Sequence, residues 1–211
     1  VEENTRFWAN LSTAVNGQYV TMRASYEIDS KHASSDQVLR FEIPAGMEFK
    51  EDSLTVDGRA ASCSTEAGED GGTTVTVPMA GKAKGTVRFY VMPTSSGSKK
   101  TYAYLSFKKG GEDVMQPIGF TDVEVKAATI QVPSRTGFKS VTASGKTAKD
   151  STITVYDNGK KVGTTRTNAN GSWSLAFDLV RPLNYSYHVI SAEITNSEVG
   201  EIEAAKASIL Y

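Results

Sequence analysis

Apolar and polar residues alternate along most of this chain, and no convincing stretch repeats with the period of a helix. In "VTMRASYEI", every second residue is apolar: Val20, Met22, Ala24, Tyr26 and Ile28. Successive side chains of a strand point to opposite faces, so this pattern is typical of a strand with one buried face. The stretches "VLRFEIP", "TVRFYVMP" and "YAYLSFKK" continue it, separated by turns rich in Gly, Ser and Pro. Strands at this close spacing predict an all-β sandwich or barrel.

Length, charge and cysteine content limit the possible partners. The 211 residues allow one large or two small domains. A net charge of -1 gives no electrostatic case for nucleic acid or for an anionic membrane surface. No apolar run approaches the ~20 residues of a membrane helix. Cys63 is the only cysteine, so no internal disulfide can form. We therefore expect no nucleic-acid partner and no direct membrane insertion.

A domain boundary is predicted near residue 127. A strand containing Val123 and Val125 ends before "KAATIQVPSRTGF", and Pro133 interrupts any hydrogen-bonded ladder there. A new series of strands begins at "SVTASG". We therefore expect an N-terminal domain over residues 1–127 and a C-terminal domain over residues 128–211.

The stretch "STITVYDNGKKVGTT" predicts a β-hairpin in the second domain. Asn158 and Gly159 suit a two-residue type I′ turn, because both residue types tolerate positive φ. This turn would place Asp157 opposite Lys160 as a pair of opposite charges. It would also place Val155 opposite Val162 as an apolar pair on the inner face.

The heptapeptide "TNANGSW" ends on Trp173 and allows two interpretations. Trp173 shares its strand face with three large apolar residues, Leu175, Phe177 and Leu179. Burial of each is worth roughly 1.5–3 kcal/mol, so this face is expected to point into the core, with "NANG" forming the turn before it. The alternative is that the indole serves as a platform on which a ligand stacks.

The second half resembles the bacterial Ig-like domains that repeat in large surface proteins and adhesins. Their pattern of a "v-x-G-x-a" strand, "xTVxVYdnG" and "vGtttadanGxWs" is matched by Gly145, Val155, Asp157, Gly159, Val162, Gly163, Asn170, Gly171 and Trp173. Family members often carry Asp at the position of Asn168, and in calcium-binding relatives such loop acids ligate the ion. Asn168 therefore argues against a calcium site here.

The first half resembles extracellular sandwich modules that precede such domains in Gram-positive surface proteins. Their "lPxGlxf" turn is matched by Ile43, Pro44, Gly46, Met47 and Phe49. Together the two resemblances imply two tandem Ig-like β-sandwich domains that are secreted or attached to the cell surface. They imply a non-catalytic structural or adhesive module, a spacer or stalk. Its partners would be neighbouring domains of the parent chain and a host or bacterial surface protein or glycan.

No motif predicts a catalytic residue or a cofactor site. "SGKTAKD" ends like a phosphate-binding loop, but Ser140 stands where that motif needs Gly, and a strand follows. His188 shares its parity with Ile190 and Ile194 and is expected to be a partly buried structural residue. His32 is expected in an exposed loop, and Cys63 as a partly buried thiol without a catalytic base.

No motif predicts a metal site or a covalent cross-link either. Glu66, Glu69 and Asp70 lie in a Gly-rich stretch without the oxygen spacing of an EF-hand, so a solvated loop is expected. Some Gram-positive surface domains carry buried Lys–Asn or Lys–Asp isopeptide bonds. Here no Lys occupies an evidently inward position.

The residues most suited to contact a ligand are Tyr102 and Tyr104. If Ala103, Leu105 and Phe107 point into the core, both tyrosines are exposed neighbours. They would then suit a protein or carbohydrate contact, or simply cover a sheet or pack against the next domain. The alternative function is a carbohydrate-binding accessory domain of a secreted glycan-degrading enzyme. It would require two or three coplanar exposed aromatic rings.

Overall fold

The structure is a computed structural model that describes residues 4–181 and 183–211. The chain divides into two compact units. Unit 1 comprises the described residues up to Ala14, together with Tyr19–Pro93 and Gly97–Val125. Unit 2 comprises Val15–Gln18, Thr94–Ser96 and Lys126–Tyr211. Apart from a 3₁₀ turn at Ser30–His32, which leaves His32 exposed as expected, the described residues contain no helix.

The strands of unit 1 form two sheets in which most neighbouring strands are antiparallel. In chain order they are β1 Arg6–Ala9, β2 Thr13–Val15, β3 Val20–Glu27, β4 Val38–Ile43, β5 Met47–Val56, β6 Arg59–Ala60, β7 Ser64–Ala67, β8 Thr73–Pro78, β9 Lys84–Pro93, β10 Gly97–Lys109 and β11 Glu112–Lys126. The five-stranded sheet has the order β1-β3-β9-β5-β6. The six-stranded sheet has the order β2-β11-β10-β4-β8-β7.

The apolar positions of both sheets meet in one core, so unit 1 is a β-sandwich. The predicted inward residues of β3 and β4 are buried: Val20, Met22, Ala24, Tyr26, Leu39, Phe41 and Ile43. Phe89 stands at the centre, with ring centroids 4.9 Å from Phe41 and 5.5 Å from Phe49 in edge-on contacts. Such aromatic pairs add about 0.5–1.5 kcal/mol each to the free energy of burying their surface.

Unit 2 is a second sandwich with a smaller pair of sheets. Its strands are β12 Ile130–Gln131, β13 Ser140–Lys146, β14 Ser151–Asp157, β15 Lys160–Arg166, β16 Ser172–Asp178, β17 Tyr187–Asn196, β18 Gly200–Ile202 and β19 Ala207–Leu210. One sheet has the order β12-β13-β16 and the other β15-β14-β17-β18, with β19 also paired to β17. The described residues thus form an all-β fold, as predicted, with two successive β-sandwiches.

The predicted hairpin forms, but its register is only partly as expected. Asn158 and Gly159 have φ of 47° and 79°, which confirms a turn with two positive φ angles, and Asp157 pairs with Lys160. The prediction that Val155 faces Val162 is wrong. The register shifts at a bulge after Val155, which therefore faces Gly163. A bulge places two residues of one strand opposite one of the other, so the pairing beyond it moves by one.

Trp173 is a core residue, as expected, and is 4% exposed. The turn before it is held by Asn168, whose side-chain oxygen accepts hydrogen bonds from the backbone N–H groups of Asn170 and Ser172 at 2.9 and 3.0 Å. The "NANG" stretch is therefore a turn that supports the core strand. Phe177 and Leu179 are buried as well, whereas Leu175 is half-buried.

Candidate ligand-binding surface

Tyr102 and Tyr104 lie on the outer face of the six-stranded sheet of unit 1. Ala103, Leu105 and Phe107, which alternate with them on β10, are buried. This arrangement confirms the predicted parity of the strand. Tyr102 is 38% exposed, whereas Tyr104 is half-buried. A role of either tyrosine in binding stays a prediction.

The neighbouring strands extend the tyrosines into a larger apolar surface. On β11, Phe120 pairs with Tyr102, and Pro117 pairs with Tyr104. We call Tyr102, Tyr104, Pro117 and Phe120 the aromatic face. A bulge between Ala103 and Tyr104 brings Pro117, instead of Ile118, opposite Tyr104. Bulges redirect side chains in this way and are frequent beside functional sites.

The rings of the aromatic face are accessible but not coplanar. The centroids of Tyr102 and Phe120 lie 6.0 Å apart, with 38° between the ring planes. Phe120 is 57% exposed, and the Nζ atom of Lys100 lies 5.9 Å from its ring centroid. Burial, and then the nearby charge of Glu42, raise the pKa of Tyr104 above its ordinary value. The phenol of Tyr104 is therefore a neutral hydrogen-bonding group at physiological pH.

Charged side chains border the aromatic face on β4. Glu42 pairs with Tyr102, and Arg40 pairs with Tyr104. The surface therefore has apolar rings beside one acid and one base. Sequence reasoning missed Phe120 and Pro117. The stretch "FTDVEVK" could have indicated Phe120. Thr121, Val123 and Val125 alternate on the buried face of this strand, so the preceding Phe120 lies on the outer face.

His188 and Asp157 form a second polar arrangement, buried inside unit 2. Both side chains are 0% exposed, so the expectation of a partly buried His188 is corrected to full burial. His188 Nδ1 lies 2.9 and 2.8 Å from the two carboxylate oxygens of Asp157. Val180 N–H donates to the same carboxylate at 2.8 Å. The expected charge pair of Asp157 with Lys160 is wrong, because the carboxylate turns inward to these donors.

The order Ser186–His188–Asp157 matches the residue types of a catalytic triad, but the geometry does not suit catalysis. Ser186 Oγ lies 3.4 Å from His188 Nε2, which is long for a nucleophile and its base. The imidazole has no exposed surface from which to reach a substrate. The pair instead links β14 to β17, as a structural histidine would.

The other candidate chemistry from the sequence also falls on structural groups. Burial, and then the charge of Glu51, raise the pKa of Cys63, which reduces the thiolate available for reaction. Asp70 accepts a hydrogen bond from Gly72 N at 2.9 Å and so forms part of the exposed β7–β8 turn. In the part of the chain that the structure describes, no group of three or more His, Cys, Asp and Glu side chains could hold a metal ion. None of the described lysines is buried.

Over residues 4–181 and 183–211, the structure contains no helix with the length and apolar character needed to cross a membrane.

Several solved structures align with this chain. The C-terminal fragment of the major pilin GBS80 of Streptococcus agalactiae aligns with a TM-score of 0.44 and 5% identity over 100% of this chain and 91% of that chain. The C-terminal domain of the antigen I/II-family protein AspA of Streptococcus pyogenes aligns with a TM-score of 0.43 and 8% identity, over 99% of this chain and 100% of that chain. No protein-family model matches the sequence, and no curated protein matches it.

A third structure covers only part of the chain. The collagen-binding domain of a Staphylococcus aureus adhesin aligns with a TM-score of 0.38 and 9% identity, over 59% of this chain and 98% of that chain. The three aligned proteins are a pilin, an antigen I/II-family protein and an adhesin.

Proposed function

We propose that this chain is a non-catalytic extracellular module of a bacterial surface protein and that its aromatic face binds a partner protein. The two sandwiches act as a spacer or stalk that presents this face. Hydrogen-bonded sheets hold the aromatic side chains in a fixed arrangement, so little conformational entropy is lost on binding.

The observation that carries this proposal is the exposed Tyr102–Phe120 pair on the outer face of the six-stranded sheet. Aromatic residues and Arg are enriched in protein interfaces, where an apolar centre is surrounded by a polar rim. The aromatic face has this composition, with Arg40 and Glu42 along one side and Lys100 beside Phe120.

The alternative, a carbohydrate-binding accessory domain, has less support. Sugar rings stack on the faces of aromatic side chains, and an extended platform requires those faces to be coplanar and open. The planes of Tyr102 and Phe120 are 38° apart, and Tyr104 is half-buried. This geometry favours a contoured protein surface over a row of sugar units.

The test is binding of the full chain to a panel of immobilised extracellular-matrix and serum proteins by surface plasmon resonance. We expect wild-type protein to bind a member of the panel, and Tyr102→Ala with Phe120→Ala to weaken that binding about 30-fold or more, as loss of interface hot spots does. The matched control is Phe138→Ala with Tyr187→Ala, which removes two aromatic side chains of unit 2 that are 78% and 68% exposed.

Binding that both double variants weaken equally, or that neither weakens, would contradict the proposal, as would a failure to bind any protein of the panel. A glycan array separates the alternative. Selective glycan binding that is lost in Tyr102→Ala with Tyr104→Ala would favour the carbohydrate-binding function.

A further inference from the structure

A second surface of unit 1 lies on the other side of the sandwich, on the outer face of the five-stranded sheet. Four cationic side chains project there from four neighbouring strands: Arg6 from β1, Arg23 from β3, Arg88 from β9 and Lys50 from β5. We call these four residues the basic face. Its residues are separate from those of the aromatic face. A ligand bound there would be additional to the partner protein proposed above.

Aromatic side chains hold each of these cations in place. The guanidinium carbons of Arg6 and Arg23 lie 4.0 and 5.7 Å from the ring centroid of Trp8. That of Arg88 lies 5.2 Å from the ring of Tyr90, whose hydroxyl oxygen accepts a hydrogen bond from Arg88 Nη2 at 2.6 Å. Cation–π contacts of this kind restrict a guanidinium without neutralising its charge.

Lys50 extends the basic face in the same manner. Its Nζ lies 5.5 Å from the ring of Tyr19, and the Tyr19 and Tyr90 rings are 6.1 Å apart. Aromatic rings therefore alternate with cations across the sheet. The carboxylate of Asp52, on the same strand, lies 3.8 Å from Lys50 Nζ and is mostly exposed to solvent.

The positions of two of these arginines disfavour folding when no ligand is bound. Arg23 and Arg88 stand directly opposite each other across β3 and β9. Like charges at directly paired positions destabilise a sheet. Among the described residues, Arg6, Arg23 and Arg88 form no salt bridge to a carboxylate. An anionic ligand would offset the charge that these three guanidinium groups concentrate on one face of the described sheet.

Acidic groups lie at one end of the basic face. A groove of about 690 Å³ opens beside Arg6 and is also lined by Lys84, Glu27 and Asp57. The carboxylate of Asp57 is engaged by Lys82 Nζ at 2.6 Å, and that of Glu27 accepts a hydrogen bond from the Asn4 side chain. The uncompensated positive charge is therefore centred on Arg23 and Arg88.

We propose that the basic face binds a linear sulfated polysaccharide. Guanidinium groups donate paired hydrogen bonds to oxyanions, and a polyanion that crosses neighbouring strands meets a cation at each strand. Strands lie about 4.8 Å apart, so the cations follow one another closely across the sheet. Single-stranded nucleic acid fits less well, because it needs open aromatic faces for base stacking. Here guanidinium groups cover Trp8.

The experiment measures heparin binding by the full chain with isothermal titration calorimetry at 50 and 150 mM NaCl. We expect binding that weakens with salt, since screening reduces the attraction between exposed charges. Arg23→Gln with Arg88→Gln should weaken heparin binding at least about tenfold, because each charged hydrogen bond contributes on the order of that factor. The matched control, Lys160→Gln with Lys161→Gln, removes the same charge from an exposed strand of unit 2 and should change affinity less than about twofold.

A second readout reports on the site itself. In a Trp173→Phe background, Trp8 is the only tryptophan, and heparin should change its fluorescence in the parent but not after the two arginine substitutions. Circular dichroism and thermal unfolding establish that each variant is folded. Because this site is separate from the aromatic face, Tyr102→Ala with Phe120→Ala should bind heparin like wild type, so the two proposals can fail independently.

Four results would overturn the proposal. One is no heparin binding at 150 mM NaCl, and another is an equal loss in the arginine and lysine double variants. Equal binding to hyaluronan, which carries carboxylates but no sulfate, would show that sulfate is not recognised. Tighter binding to oligo-dT of the same charge would assign the face to single-stranded nucleic acid instead.

Discussion

Individual polar residues inside each sandwich are tied to specific partners. In unit 1, the Gln37 side chain donates to the Tyr26 hydroxyl oxygen at 2.9 Å, and that hydroxyl donates to the Lys82 carbonyl at 2.8 Å. In unit 2, Asp157 accepts from His188 and from Val180 N–H. A buried polar group is costly without a partner, so the effect of a substitution at these positions depends on which group is left behind.

Removal of one member of the His188–Asp157 pair should strongly destabilise the protein. Asp157→Ala leaves the imidazole and the Val180 N–H without an acceptor, and we expect a loss of about 3–5 kcal/mol in the free energy of unfolding. Urea unfolding followed by tryptophan fluorescence measures it. The control is Asp178→Asn at the solvent-exposed Lys139–Asp178 pair, 2.8 Å apart, where a loss below about 1 kcal/mol is expected. Equal losses at the two pairs would contradict a structural role of the buried pair.

The Tyr26 hydroxyl predicts a dependence of stability on alkaline pH. Burial is the main cause that raises the pKa of Tyr26 from 10.0 to about 12. The folded state therefore favours the neutral phenol. Its contribution to stability is complete below pH 10 and is lost as pH rises through about 12. The loss is of order 2 kcal/mol.

Comparison with Tyr26→Phe isolates this effect from the titration of other groups. The variant should be less stable than wild type at pH 8 by about 1 kcal/mol, because the Gln37 amide and the Lys82 carbonyl each lose the Tyr26 hydroxyl as a partner, although they keep their hydrogen bond to each other at 2.6 Å. The difference between the two proteins should vanish and then reverse as pH rises from 10 through about 12, because wild type loses about 2 kcal/mol that the variant cannot lose; urea unfolding measures it. A difference that stays constant over this interval would show that Tyr26 does not titrate as described.

At the scale of strands, alternation in the sequence was enough to predict most of the fold. It correctly assigned the inner faces of β3, β4 and β10, and the Asn158–Gly159 turn fixed the adjacent pairing. The bulge after Val155 was not predicted, because a bulge depends on how two strands fit together and leaves no mark on the alternation of one strand.

The candidate surfaces required knowledge of which strands are neighbours. The outward position of Arg23 could be read from β3, but its pairing with Arg88 depends on the sheet order β1-β3-β9-β5-β6. The net charge of -1 hides this local concentration, because acids elsewhere in the chain balance it. Likewise, Asp157 was assigned to the nearby Lys160, whereas its actual partner His188 comes from another strand.

Close packing between β13 and β16 makes Gly145 a sensitive position. Gly145 pairs with Trp173, and a Cβ atom on Gly145 would lie 2.8 Å from both Trp173 Nε1 and the Thr129 carbonyl oxygen. Gly145→Ala should therefore lower the free energy of unfolding by about 1–3 kcal/mol, as overpacking does. Denaturant unfolding, followed by Trp173 emission in a Trp8→Phe background, provides the measurement.

The control for this prediction is Gly137→Ala. A Cβ atom at Gly137 meets no atom within 4 Å, so the change should be nearly neutral. If Gly145→Ala is as stable as the control, the indole and the Thr129 carbonyl can move apart without cost. The tight pairing of these two strands would then not be a determinant of the fold.

At the scale of the whole molecule, the open question is whether the predicted domain boundary at residue 127 delimits a domain that folds by itself. Unit 2 contains Lys126–Tyr211 but also the short segments Val15–Gln18 and Thr94–Ser96. A fragment of residues 128–211 keeps all the strands of the second sandwich, β12 to β19, and omits these segments. Since its core residues are retained, we expect the fragment to fold, but with lower stability than the same residues have in the full chain.

Thermal unfolding of the 128–211 fragment, followed by Trp173 fluorescence, tests this expectation. The reference is the full chain with Trp8→Phe, in which Trp173 again reports alone. A loss of about 1 kcal/mol would lower the melting temperature by roughly 4–8 °C for a domain of this size. Equal melting temperatures would show that residues 15–18 and 94–96 add nothing to unit 2. An unfolded fragment would show that the boundary at residue 127 does not delimit an independent domain, since the missing segments would then be essential to the second sandwich.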